Sequence, residues 1–203
     1  MRLHDIQDLF EMPETVGATE FGLDIPKINI QAARDFLSDR RTKQIGTLKG
    51  HGLYQKGYEI SLIDNSNENV PKMLYFVKFI VKKIHYIKRS SAQQIAVWRA
   101  KGSVAVGIAS DIFLNHLLPI TGCIVTDIYQ TSEGQMFWHD RVSDAISRGL
   151  YVYYIDVMPP NRKIVPILKY DDLYNMKDEI WGAGQKYHER RVIITDSPVE
   201  LDD

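Results

Sequence analysis

Three side chains between residues 127 and 139 are the candidates to handle a proton. His139 is the first. A neutral imidazole titrates near physiological pH and serves as base or acid. Asp127 follows the apolar run Cys123-Ile124-Val125, at the carboxyl end of an expected strand, where α/β sites gather. Tyr129 adds a phenol two residues further on. A second group lies upstream, in Arg99-Ala100-Lys101-Gly102-Ser103-Val104-Ala105. It has two cations, a hydroxyl and a glycine ahead of an expected helix, and Lys101 and Ser103 suit a phosphate. Each residue also has a plainer reading. His139 fits a solvated helix histidine, Asp127 a turn or helix-dipole residue, and Tyr129 strand-end packing. The run from Arg99 to Ser103 fits an ordinary strand-to-helix turn with solvated charges.

The elements that would position these residues are written clearly. Cys123 to Val125 reads as a buried strand. Ser132 and Gln135 have the spacing of a capping box. Trp138, Val142, Ala145, Ile146 and Gly149 then mark one face of a helix. Arg148 suits the last turn and Gly149 a left-handed cap. Leu150 to Val157 is rich in Tyr, Val and Ile, a strand signal. Strand, helix, strand in this order predicts a βαβ unit with parallel strands and a right-handed crossover.

Upstream, residues 1–25 form an N-terminal extension, with a helical turn or two at Asp5 to Phe10. Lys27 to Arg41 predicts a helix with Asn29 as a capping residue. Residues 44 to 99 predict three or four antiparallel strands. Met73 to Ile87 is the longest of them, chosen over a helix for its β-branched and aromatic density. Gln93 to Trp98 is a further short strand. Val106, Ala109, Phe113 and Leu117 give a helical stripe, ended by Pro119 and Gly122, with His116 solvated. Ile164 to Leu168 and Arg191 to Thr195 predict strands, and Tyr170 to Met176 a short helix opening at Asp171. The acidic tail, 197–203, is expected to fray. The whole, 1–203, is expected as one domain.

Composition excludes several classes of function. Lys+Arg number 25 against Asp+Glu 26, so bulk charge gives no reason for nucleic-acid or membrane binding. Cys123 is the only cysteine, so an intramolecular disulfide and a cysteine metal cluster are excluded. Its neighbours predict a buried thiol. The six histidines are scattered without metal spacing. Neither a signal peptide nor a run of 18 apolar residues is present, so a soluble cytoplasmic protein is expected. Lys82 to Arg89 (KKIHYIKR) is the one basic patch with aromatics; it reads as the exposed face of a strand with solvated ends, so a nucleic-acid partner is not expected.

In order, these elements resemble the Gcn5-related N-acetyltransferase fold. Gln94 to Arg99 resembles its fourth strand, and Arg99 to Leu118 its pyrophosphate loop and following helix. Cys123 to Tyr129 resembles the fifth strand, Glu133 to Arg148 the next helix, and Leu150 to Val157 the sixth strand. The words Thr131-Ser132-Glu133-Gly134-Gln135-Met136-Phe137-Trp138, Ile180-Trp181-Gly182 and Arg190-Arg191-Val192-Ile193-Ile194 resemble acetyltransferase-like proteins of tailed bacteriophages. The likeness covers roughly residues 50 to 196. It implies an α/β (α+β) mixed sheet with antiparallel N-terminal strands, a parallel βαβ C-terminal half and helices on both faces.

The resemblance also implies acetyl-CoA between splayed fourth and fifth strands. Arg99, Lys101, Gly102, Ser103, Val104 and Ala105 would form the phosphate loop, using the unpaired donors of a helix amino end. Val104 departs from the family pattern, which has a small residue there. The family's usual base, a Glu, is missing from Gln93 to Trp98, and its usual Tyr acid from the helix at Glu133. That leaves Asp127, Tyr129 and His139 as catalytic candidates. One expectation is acetyl transfer to an amine of a protein or small molecule. The alternative is a catalytically silent phage protein that binds a host protein or a tail or fibre component of the virion. The expected place is the host cytoplasm, and a homodimer stays open.

Overall fold

Pro26 opens the first helix among the described residues, since its fixed φ and missing N–H suit a first helical position. The computed structural model describes residues 22–84, 89–101, 107–126, 132–156, 163–181 and 190–199. The helix, α1, runs Pro26–Ser38 with Ile25 in the capping position. Asn29 therefore does not cap it, because its amide is used elsewhere. Asn29 Nδ2 donates to the carbonyls of Leu23 (3.1 Å) and Met73 (3.0 Å), and Oδ1 accepts the Met73 N–H (2.8 Å).

The chain is an α+β fold built on an open mixed sheet with few helices. It packs as two compact units, both discontinuous in sequence. The first lies within Pro13–Ile80 and Gln94–Ala109. It holds α1 and the strands β1 (Lys43–Leu48), β2 (His51–Lys56) and β3 (Glu59–Asp64), with most of β4 (Lys72–Ile84) and the second half of β5 (Arg89–Arg99). Their order is β1-β2-β3-β4-β5, and the first three junctions are antiparallel as expected. β1 had no clear sequence signal. The chain returns from it through Lys49 (φ 50°) and Gly50 (φ 82°). Two successive positive φ values are the type I′ turn that matches strand twist. Leu23, Ala33, Phe36, Ile63, Met73, Phe76 and Trp98 form this unit's buried cluster under α1.

The second unit lies within Val81–Gln93 and Ser110–Asp203. A π-helical stretch, Asp111–Leu117, leads into α2 (Leu118–Thr121). Then come β6 (Cys123–Val125), α3 (Ser132–Ser147), β7 (Tyr151–Asp156), β8 (Lys163–Pro166), α4 (Tyr170–Asn175), α5 (Lys177–Ile180) and β9 (Arg190–Thr195). Pro119 does not end the helix. It sits in the first turn of α2, where a missing N–H is tolerated, and the stop comes at Gly122 with φ 67°. Cys123 is a fully buried thiol, as expected.

The expected βαβ unit forms with parallel strands, since β6 and β7 both run antiparallel to β9. They are not neighbours, however, because β9 lies between them. β9 has three register pairs with β6 and six with β7. Its run Val192 to Ile194 is buried, so both of its edges are used. Sequence order alone does not reveal that a strand some 35 residues later inserts into the pair. The parallel neighbour of β6 is β5, through Ala92↔Ile124 and Gln93↔Val125.

Gly149 closes α3 as expected, with φ 71°. Its N–H donates to Ile146 O and the Leu150 N–H to Ala145 O, both at 3.0 Å. That pair of bonds is a Schellman cap. A Cβ at Gly149 would meet nothing within 4 Å, so a substitution is strained only through the backbone. Gly149→Ala should cost about 1–2 kcal/mol. Urea unfolding checks this, and a neutral result would mean that the cap is not formed.

His116 is half-buried rather than solvated. Burial holds its pKa below the ordinary 6.5, with Asp111 acting weakly the other way. Below about 6.5 the unfolded chain binds this proton more readily than the folded one. Stability should therefore fall as pH drops from 6.5 toward the folded value. His116→Gln should flatten that slope in melts taken between pH 7 and 5, and an unchanged slope would refute the assignment.

Candidate functional site

Of the sequence candidates, Gly102, Ser103, Val104, Ala105, Asp127 and Tyr129 lie outside the described residues. So do most of the basic patch and the helix expected at Asp5 to Phe10. Arg99, Lys101 and His139 are described. Arg99, the last residue of β5, and Lys101 are both exposed at the end of the first unit's strand. Lys101 lines a cavity of about 540 Å³ bounded by α1, β4 and β5.

His139 stands in the second unit, on α3, and is half-buried instead of solvated. Tyr170 meets it edge to face, with ring centres 5.3 Å apart at 89°. Trp181 lies on another side at 6.0 Å. Together they line an open groove of about 510 Å³. Gln135, Met136, His139 and Asp140 come from one face of α3, as residues three or four apart must. Tyr170 and Tyr174 come from one face of α4, and Lys177 and Asp178 from α5. Lys177 Nζ lies 4.8 Å from the centre of the Tyr174 ring, a cation–π contact. The groove combines aromatic faces, charges of both signs and one imidazole able to move a proton.

No protein-family model, curated protein or solved structure matches the chain. The reading of the site rests on its own chemistry.

Sequence reasoning missed how His139 is surrounded. In the sequence Trp181 belongs to the run Ile180-Trp181-Gly182, and Tyr170 begins an expected short helix. The signal available was the i, i+4 pair Tyr170 and Tyr174 beside charged neighbours, which leaves two aromatics on one face of a six-residue helix. The Arg190-Arg191 word turns out to be structural at its first position. Arg190 faces Asp156 in the β7–β9 register, and its Nε donates to Asp156 Oδ2 at 3.1 Å. Tyr154 OH donates to the same oxygen at 3.4 Å. Burial, and then the Asp156 charge, push the Tyr154 phenol up to about 12. Its neutral form is favoured by the fold, so this contribution is complete below pH 10 and is lost as pH rises toward 12. Ultraviolet titration should show one tyrosine ionising late, and Tyr154→Phe should remove it.

Proposed function

We propose that the chain is an acetyl-CoA-dependent N-acetyltransferase of the Gcn5-related kind. One observation carries the reading. β5 and β6, which the resemblance likens to the family's fourth and fifth strands, pair in parallel. Their register covers only Ala92–Gln93 and Ile124–Val125 among the described residues. Ligands of such sheets gather beyond the carboxyl ends of parallel strands. The chain leaving β5 carries Arg99 and Lys101, and the chain leaving β6 carries Asp127 and Tyr129.

In this reading Arg99 and Lys101 draw the phosphates of acetyl-CoA, whose thioester supplies the acetyl group. Their exposed cations fit that group. An ammonium must lose a proton before its nitrogen attacks the thioester carbonyl; the N–C bond forms, the C–S bond breaks and the departing CoA thiolate takes up a proton, and Asp127, Tyr129 and His139 are the candidates to move these protons. Isothermal titration of the folded chain with acetyl-CoA tests the proposal. Saturable one-to-one heat, weakened in Lys101→Ala, is expected. An absence of heat at high concentration, with folding verified, overturns it.

The catalytically silent reading has one observation of its own. Met136, Tyr170 and Tyr174, at the rim of the His139 groove, are 63%, 50% and 55% exposed. Apolar groups open to water beside a groove suit a partner's surface. Co-purification with host proteins or virions, together with no acetyl transfer to any amine offered, would favour it.

A further inference from the structure

We propose that the groove walled by α3, α4 and α5 binds a methylated ammonium group. Its lining lies wholly within the second unit. Four rings meet there: His139 from α3, Tyr170 and Tyr174 from α4, and Trp181 just after α5. The His139 ring stands at 89° to Tyr170 and at 54° to Trp181. Rings so inclined form the walls of a corner and not a stack. Both tyrosines keep about half of their surface open to water. Trp181 is half-buried with its Nε1 inaccessible, so it offers the groove ring carbon and no N–H donor. The face of an aromatic ring is electrically negative and attracts a cation.

The charged side chains agree with the rings. Asp140 on α3 and Asp178 on α5 line the groove, against one lysine, Lys177. Asp140 shares its charge with Arg141, whose guanidinium stands 3.9 Å away. Lys177 supplies an independent observation. Its Nζ lies 4.8 Å from the centre of the Tyr174 ring, so the chain's own ammonium has taken one of these faces. Lys177 is exposed, and a long flexible side chain in water leaves such a contact at small cost. A ligand cation would take its place.

The chemistry of the walls selects among ligands. An anion would meet two carboxylates and the negative ring faces, and it would gain no donor from Trp181. A neutral ligand would leave the carboxylates without a partner charge. A bare ammonium holds its water strongly. Methyl groups loosen that water and give the rings, and the exposed Met136 beside them, an apolar surface to touch. The groove's volume of about 510 Å³ lies within the range of small-molecule sites. The inference does not rest on the acetyl-CoA reading, since Arg99, Lys101, Asp127 and Tyr129 take no part in it.

Isothermal titration of the full chain with choline tests it, beside the uncharged choline isostere that has carbon in place of nitrogen. One choline should bind per chain, and the isostere about tenfold more weakly, the scale of a cation–π contact shielded from water. Tyr170→Leu and Tyr174→Leu keep apolar bulk without a ring and should weaken choline severalfold. Tyr170→Phe and Tyr174→Phe keep the ring and should bind as the parent does. Lys177→Ala removes the competing ammonium and should tighten choline severalfold. Circular dichroism confirms that the variants fold. Choline that does not bind overturns the proposal. So do equal affinity for the isostere, and binding that neither leucine variant changes. Methylguanidinium bound more tightly than choline overturns the methylated ammonium. A short peptide carrying trimethyllysine, bound more tightly than choline, places the group on a protein; the reverse order places it on a small molecule, and either supports the site. Acetyl-CoA, titrated separately, keeps the two readings apart. Choline bound without any acetyl-CoA heat supports this groove and sinks only the acetyltransferase.

Discussion

Trp138→Ala is expected to destabilise the protein by about 3–5 kcal/mol, the range for removing a buried large aromatic. Trp138 is 1% exposed on the inner face of α3. It meets Phe113 edge to face at 5.5 Å and 89°, and Phe137 at 5.4 Å and 88°. Phe113 and Phe137 meet each other at 5.7 Å and 74°. Each ring thus touches the other two, so one truncation breaks two aromatic contacts worth about 0.5–1.5 kcal/mol each beyond area. The cavity cannot close easily, because Phe113 belongs to the π-helical stretch and Val142 and Ala145 hold the rest of the α3 face. For a chain of this length each kcal/mol moves Tm by about 2–4 °C. A fall of roughly 6–20 °C follows from the same range. Trp138→Phe should cost clearly less, since one ring keeps part of both contacts. If Trp138→Ala loses under about 1 kcal/mol in urea, the three-ring cluster does not exist. The neighbouring His139 uses the same helix, so loss of function in this variant would be indirect.

Local patterns in the sequence were enough to place most elements, and for physical reasons. The α3 stripe, the Gly149 cap and the strand at Leu150 to Val157 are each decided within a few residues by periodicity and φ preference. β4 was ambiguous by pattern, since apolar residues sit on both parities, and its β-branched and aromatic content correctly favoured a strand. Asn29 and Pro119 misled because residue type was read without its partner. An Asn before an apolar stripe suggests a cap, but here two carbonyls and one N–H far along the chain claim its amide. A proline suggests a stop, but here it begins a second helical segment. β9 was seen as a strand and not as an insertion, because which edge a strand occupies is settled by non-local pairing. The site was less legible still. His139 could be found as an imidazole on a helix. The rings around it come from residues 31 and 42 positions later, through the packing of short helices. Nothing in the spacing of Trp98 showed that its N–H would be buried without an acceptor among the described residues.

Asn29→Ala is the second substitution with a large expected effect, about 2–4 kcal/mol, and the argument is one of unmet hydrogen bonds rather than volume. Asn29 is 8% exposed and bonds Leu23 O, Met73 O and the Met73 N–H, the last two across 44 residues. Alanine would leave three buried backbone groups without these partners, at the place where α1 is fixed to β4. Two further variants separate the donors from the acceptor. Asn29→Leu fills the space but satisfies none of the groups, so it should recover little. Asn29→Asp keeps an acceptor for the Met73 N–H and, when ionised, points a charge at two carbonyl oxygens. Burial and those carbonyls would raise its folded pKa above the unfolded value of about 3.9. A raised acid pKa means that the folded form binds the proton more tightly, so stability falls as pH climbs from about 3.9 through the folded value. Asn29→Asp should thus be strongly destabilised at pH 7 and approach the parent as pH drops toward 4. A pure packing role predicts no such convergence, so denaturant midpoints of the four proteins at pH 7 and pH 4.5 decide the matter.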